Sequence, residues 1–284
     1  MNNNNLNFSV IIPTWNRKNA LIETLESLYN QSKYPNNFEI IICDSHSKDG
    51  TSIIVKEYIQ KNSTDNLKLI NAKHNNVSLK RNLGIQESKY DIILLLDDDC
   101  VPLKDYFSKI MLAFHTTDNK TILCGEYRVD ESLLKTSNYN RFRDSRNHGS
   151  IYENKKKTNT DFLGFQRIVT GNLSFRKEII IKEKIFFNSD IIGYGFEDVE
   201  WGYRLEKAGF KIVKSNIKVI HNETSMDLSK YKMKWYYAAN GAIPLLIKNN
   251  FQVARKLPMF ILESGYRMKT SKKAYGFFIK LFLN

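Results

Sequence analysis

Three consecutive carboxylates, Asp97, Asp98 and Asp99, close an apolar run in "DIILLLDDDC" (residues 91–100). Like charges about 4 Å apart at an effective dielectric near 20 repel by roughly 4 kcal/mol per pair, so the cluster calls for a counter-charge. No basic residue stands beside it in sequence. A divalent cation meets the need, and oxygen ligands suit Mg²⁺ or Mn²⁺, which then bridge substrate phosphates. A solvated strand-to-turn junction, or a cap for the helix after Pro102, would also account for the acids. A second acidic group, Glu197, Asp198 and Glu200 in "GYGFEDVEWGYRL", opens a helical pattern. Acids in a first turn complement the helix dipole. That does not account for Gly193, Tyr194 and Gly195 ahead of them. His221 ends "FKIVKSNIKVIH" as a structural or a metal-ligating histidine. His46, His74, His115 and His148 stand in no supporting pattern.

These groups need elements to position them. Apolar runs at 8–14, 38–44, 67–72, 91–97 and 121–127 read as strands. Runs such as "IILLL" lack alternation, as strands buried on both faces do. Between the runs, helical spacing places Ala20, Leu21, Leu25 and Leu28 on one face, and Ile54, Val55 and Tyr58 on another; Leu79, Leu83 and Ile85 mark a third helix. Strand and helix in alternation predict an α/β doubly wound, mostly parallel sheet. Ligands bind such sheets beyond the carboxyl ends of the strands. "PTWNR", "CDSHSKDG" and "DDDC" all fall there. Thr14 or Asn16 is expected to cap the first helix, Asp44 to meet a base edge, and Asp49-Gly50 to make a turn.

Residues 130–160 are polar with weak periodicity and read as a long loop or lid. "FLGFQRIVTGNLSFRKE" resumes strand character. The helix begun at Glu197 ends at Gly209, "FKIVKSNIKVIH" reads as two short strands, and the pattern is helical from 228 onward. The 284 residues suffice for a substantial core. Three cysteines without paired spacing exclude a disulfide framework or a zinc site and fit a reducing cytoplasm. No signal peptide and no membrane-spanning run is expected. Residues 228–284 hold eleven Lys and Arg against one acid, Glu263, and so carry +10 of the net +13. Tyr275, Phe278, Ile279 and Phe282 recur at helical spacing among Lys272, Lys273 and Lys280. This pattern suits an anionic membrane surface or a helix packed on the domain; no nucleic-acid recognition motif accompanies it.

In order and spacing, "FSVIIPTWNR", "FEIIICDSHSKDGT", "VSLKRNLGI" and "DIILLLDDDC" resemble the nucleotide-binding half of family 2 inverting glycosyltransferases of the GT-A fold. The resemblance implies a UDP-sugar donor. Pro13, Thr14 and Arg17 would line the nucleotide pocket, Asp44 would meet the base, and Arg81 the base or the diphosphate. Asp97 and Asp99 would serve as the acids of a DxD motif, Asp97 near the ribose and on the metal, Asp99 on the metal, with Asp98 facing the nucleotide-sugar. Ser45 stands where the family commonly has a second aspartate. "TGNLSFRK" and "GYGFEDVEWGYRL" are similar to the C-terminal region of β-1,4-galactosyltransferases and bacterial chondroitin-type polymerases. By that likeness Asp198 is the catalytic base, Glu197 contacts the acceptor, Tyr194 stacks on it, and His221 is a metal ligand. A hydroxyl nucleophile needs such a carboxylate within reach, and the leaving diphosphate needs the metal.

Together these imply a catalytic domain over 1–227, with the donor site in 8–127 and the acceptor part in 160–227, and a basic helical extension over 228–284. The expected activity is metal-dependent transfer of a hexose to a hydroxyl of a growing glycan, lipid- or protein-linked. Galactose or N-acetylgalactosamine is favoured over glucose or N-acetylglucosamine. A nucleotidyltransferase, or a non-catalytic carbohydrate- or membrane-binding module, is the alternative. The expected location is the cytoplasm, peripheral on the inner face of the membrane. Basic residues contribute about 1 kcal/mol each at anionic membranes. The chain is therefore expected to sediment with anionic liposomes, to be released as salt rises, and to bind them less after removal of residues 271–284. Aggregation and a lower melting temperature of the truncated chain, with liposome binding undiminished, would instead mark a packed helix.

Overall fold

The computed structural model describes residues 6–32, 37–62, 65–136, 162–192 and 195–222, with scattered positions in 138–144 and 229–248. Most of the polar stretch 130–160, Gly193, Tyr194 and the basic extension lie outside the described residues, beyond those scattered positions. Five strands carry the first half: β1 (Asn7–Pro13), β2 (Asn37–Asp44), β3 (Leu67–Asn71), β4 (Ile92–Leu96) and the short β5 (Cys100–Pro102). Helices α1 (Lys18–Leu28), α2 (Thr51–Asn62), α3 (Val77–Glu87) and α4 (Tyr106–Phe114) connect or follow them. The remainder comprises β6 (Thr121–Val129), α5 (Glu131–Thr136), β7 (Asn172–Arg176), α6 (Lys177–Lys182), α7 (Glu197–Lys207) and β8 (Lys211–His221).

The sheet runs β3-β2-β1-β4-β7-β6-β8-β5. Its first four strands are parallel, as the apolar runs require: β4 is buried at every position and must be covered on both faces. β7 lies antiparallel between β4 and β6, and β8 runs parallel to β6. The sheet separates two cores. Val10, Ile12, Ile40 and Leu94 pack with α1 and α4 on one face. Ile11, Ile41, Ile93 and Leu95 pack with Phe175, Phe187 and Trp201 on the other.

Five details depart from the sequence-based expectation, the first being that the expected loop over 130–160 opens with helix α5 at Glu131–Thr136. "FKIVKSNIKVIH" is one strand, not two. Its pairing with β6 shifts register between Cys124 and Glu126, and the Asn172 side-chain amide, buried beside this bulge, donates to the Glu126 and Ile217 carbonyls at 3.0 and 2.9 Å. β5 is a strand that three residues of sequence do not announce. "FLGFQRIVTGNLSFRKE" is strand only over β7, with a 3₁₀ turn at Phe165–Arg167 and α6 beginning at Lys177. Lastly, neither Thr14 nor Asn16 caps α1. Thr14 Oγ1 donates to Asp98, and Asn16, in the left-handed region at φ 53°, accepts from Lys48 N–H through its side-chain oxygen. The donor at Lys18 N is met by Asp49 Oδ2 from the β2–α2 loop at 2.9 Å.

α3 lies against β1 with no room between them: a Cβ on Gly84 would run into the Ile11 side chain. Gly84→Ala is expected to destabilise the fold by about 1–3 kcal/mol, as overpacking does. Ile11→Ala in the same chain should recover part of that loss relative to the sum of the single changes. Urea denaturation of the four proteins measures the coupling.

Candidate active site

The chemistry-bearing side chains gather at the carboxyl ends of β1, β2 and β4. Pro13 closes β1 opposite Cys43, and Thr14 N–H continues the ladder to the Cys43 carbonyl at 3.0 Å. Thr14 Oγ1 donates to Asp98 Oδ2 at 2.7 Å. The Arg17 guanidinium bridges two acids through one nitrogen, 3.0 Å from Asp98 Oδ1 and 2.6 Å from Asp99 Oδ2. His221 Nε2 lies 3.2 Å from that same Asp99 oxygen. β5 explains the meeting. Its antiparallel pairing sets Cys100 opposite His221, and Asn222 N–H donates to the Asp99 carbonyl at 2.9 Å. The Tyr127 ring covers the imidazole at 4.5 Å.

The acids do not titrate alike. Burial alone would raise Asp99, but His221 and Arg17 outweigh it and hold the carboxyl well below the usual carboxylate range. Burial, reinforced by the charge on Asp99, pushes Asp98 up to about 7. Lys80 is also enclosed here. Its ammonium donates to the Thr14 carbonyl and to Asn75 Oδ1, both at 2.8 Å. Burial lowers its pKa to about 8 despite the pull of Asp98 and Asp44.

Asp44, expected at a base edge, is fully enclosed. It accepts from Ser47 N–H at 2.9 Å and from the Ser47 and Ser52 hydroxyls at 2.5 and 3.2 Å. It therefore shapes the β2–α2 loop, which Asn16 N–H in turn joins through Ser47 Oγ at 2.7 Å. Arg81, expected at the base or diphosphate, is 2% exposed. It donates to Asp97 Oδ1 at 3.1 Å and to Glu197 Oε1 at 2.9 Å, and lies 5.5 Å over the Phe187 ring. Glu197, expected on the acceptor, is buried, and its second oxygen accepts from Gly195 N–H at 3.0 Å. Glu200 pairs along α7 with Arg204. Asp198 remains half-buried at the head of α7, near enough to Arg81 to act on its charge. Tyr194 lies outside the described residues.

Lys80 and Gly171 carried no readable signal, and Asp49, expected only to make a turn with Gly50, also meets the Lys18 N–H at the start of α1. A Cβ on Gly171 would stand 2.6 Å from Asp97 Oδ2 and from the Tyr127 ring, so only hydrogen fits. α3 also grips the approach to α7. Asn82 and the Phe187 backbone exchange two hydrogen bonds, at 2.8 and 2.9 Å. Asn76, capping α3 through Leu79 N–H, donates to the Ser189 and Ile191 carbonyls.

A divalent cation fits the chemistry of the Asp99–His221 pair, a carboxylate oxygen beside an imidazole nitrogen. A guanidinium already stands on that oxygen, marking it as a cation position. Among the described residues no group of three metal-ligating side chains gathers.

The model of glycosyl transferase family 2 matches residues 9–183, from β1 through α6. The chain belongs to this family. Among relatives, the chondroitin synthase of Pasteurella multocida is 33% identical over 234 residues, covering 72% of this chain and 23% of that protein. A hyaluronan synthase from P. multocida is 29% identical, covering 69% of this chain and 22% of that one. This family 2 chain thus spans about a quarter of the length of those relatives. Its architecture is that of GT-A glycosyltransferases. A mannosyltransferase of Pyrobaculum calidifontis, solved with GDP-Man and Mn²⁺, superposes with a TM-score of 0.61 at 16% identity, over 85% of this chain and 63% of that one. S. aureus TarS with UDP-GlcNAc gives 0.58 at 17%, over 82% and 66%.

Removing one partner of a buried ion pair typically costs about 3–5 kcal/mol, because the remaining charge is stranded. Glu197→Ala leaves Arg81 with Asp97 alone and is expected to destabilise this family 2 domain by less than that, about 1–3 kcal/mol, in chemical denaturation. Glu87→Ala breaks only the exposed pair with Lys68 and should leave the midpoint unchanged.

Proposed function

We propose that this protein is a metal-dependent inverting glycosyltransferase that moves a hexose from a UDP-sugar to a hydroxyl of a growing glycan. The observation that carries this reading is the Asp99–His221 pair, set at the strand-end crevice that Arg81 links to the head of α7 and Asp198. Asp99 and His221 would hold the cation, and Mn²⁺ suits the nitrogen ligand better than Mg²⁺ does. Bound there, it would neutralise charge growing on the leaving diphosphate. Thr14 and Arg17 face the donor, with Lys80 fixing the Thr14 carbonyl. Asp44 holds the loop that flanks the base. Asp198 takes the proton of the acceptor hydroxyl as its oxygen bonds to C1 of the sugar. The bond from C1 to the diphosphate breaks with inversion, and UDP departs with that electron pair. Glu197 holds α7 in place for this step, and Tyr194 is assigned to the acceptor sugar.

A UDP-sugar is favoured by the likeness to TarS, solved with UDP-GlcNAc. The likeness of "GYGFEDVEWGYRL" to β-1,4-galactosyltransferases favours galactose or N-acetylgalactosamine, with glucose or N-acetylglucosamine second. The unit 1–227 would be catalytic. The basic extension 228–284 would rest on the anionic inner face of a membrane beside a lipid- or protein-linked glycan.

Two substitutions test the assignment. Asp99→Asn should abolish the Mn²⁺-dependent thermal stabilisation by UDP and most turnover of UDP-hexoses. Asp198→Asn should lower turnover by roughly 10²–10⁴-fold, the usual contribution of a general base, with UDP affinity nearly unchanged. Metal dependence unaltered in Asp99→Asn would refute the reading.

A further inference from the structure

Arg17 stands where a metal ion would have to approach. Its Nη1 lies 2.6 Å from Asp99 Oδ2, the oxygen that is also 3.2 Å from His221 Nε2. A metal ligated at that oxygen sits about 2 Å away. A guanidinium and a divalent ion cannot both occupy that distance, because two cations would be forced together against a single carboxylate. One must leave, and the surroundings determine which.

The acids are held in place. The Asp98 carbonyl accepts from Thr24 Oγ1 at 3.0 Å, and its carboxylate accepts from Thr14 Oγ1 at 2.7 Å. The Asp99 carbonyl accepts from Asn222 N–H, and His221 is enclosed at the end of β8 under Tyr127. Arg17 differs from all of these. Its side chain is 33% exposed, against 6% and 5% for the two acids, and it hangs from the residue that precedes α1. A long stem with a planar fork is suited to leaving a carboxylate for a phosphate, where it pairs in the same bidentate manner.

We propose that Arg17 is an exchangeable counter-ion of the acid cluster, occupying the cation position on Asp99 until the metal takes it and then moving to the donor diphosphate, so that metal and nucleotide bind as one coupled event. The proposal rests on the metal-dependent reading above. It makes the metal-free cluster self-neutralised, and it makes Mn²⁺ a weak ligand until a diphosphate is present to receive the arginine. By linkage, the nucleotide is equally weak without the metal.

The test is titration of Mn²⁺ into the full chain, with free Mn²⁺ read by electron paramagnetic resonance, in the absence and presence of UDP. Arg17→Met should bind Mn²⁺ without UDP at least 5-fold more tightly than the unaltered protein, the low end of ordinary coupling between sites. UDP should then tighten Mn²⁺ by a smaller factor than in the unaltered protein. Without metal the variant should melt at a lower temperature, since the acids have lost a counter-charge. Arg17→Lys, which keeps the charge on a shorter reach, should fall between the two and guards against a misfolded variant. Lys48→Met removes an equal charge from the neighbouring loop and should change nothing. Mn²⁺ affinity of Arg17→Met equal to or below that of the unaltered protein would overturn the exchange, as would the same gain in Lys48→Met. If the unaltered protein binds no Mn²⁺ even with UDP, the metal-dependent reading falls, and the exchange with it.

Discussion

A guanidinium buried to 2% exposure must be paired, or the fold pays its full desolvation. Arg81 meets that requirement with one carboxylate from each half of the protein, Asp97 at the end of β4 and Glu197 at the head of α7. The pair brings together residues 100 apart in the chain, and it points each acid by fixing an oxygen of it. α3, which carries Arg81, also holds the path into α7 through Asn76 and Asn82. A single helix therefore sets the acids at the end of β4 and the head of α7 in one frame. The remaining acids can then be specialised: Asp99 held ionised by its neighbours, Asp98 raised by burial, and Asp198 left half-open.

Close approach is the second constraint. Gly84 admits the Ile11 side chain, and Gly171 admits Asp97 and Tyr127, at points where any side chain would displace a working group. Among the described residues backbone strain lies elsewhere, three of its four non-glycine positions being in loops at the crevice and the fourth, Lys184, just after α6. Asn16, His46 and Phe196 all adopt positive φ, at the ends of β1 and β2 and just ahead of α7. Such conformations persist where surrounding bonds over-determine them, as the mutual bonds of Asn16, Ser47 and Lys48 do.

Much of this was legible because buried parallel strands write themselves as unbroken apolar runs. β1, β2 and β4 end where polar clusters begin, and those clusters define the crevice. The acids could be picked out by type and position, and His221 by the family resemblance alone. What stayed hidden depended on partners distant in the chain. Asp49 caps α1 from another loop, and Lys80 looks like any helical lysine until it is seen aimed at the Thr14 carbonyl. β8 looked like two strands because Ser215 and Asn216 interrupt its apolar pattern near the bulge opposite Gly125. Arg81 and Glu197 suggested ligand contact by likeness to relatives. Only their burial reveals them as the joint between the halves.

The pairing of β5 with β8 also governs when the site can exist. Asp99 and His221 are separated by 122 positions, and the strand that delivers His221 is added at the far side of the sheet. Contacts of such long sequence separation form late, since loop closure must precede their reward. During synthesis the aspartates emerge well before the imidazole, and domains assemble as the chain lengthens. A growing chain therefore presents acids without their histidine until β8 has been made and docked. The Asp99–His221 contact therefore reports that the whole sheet is complete, and an interrupted chain carries the acidic motif without the pair.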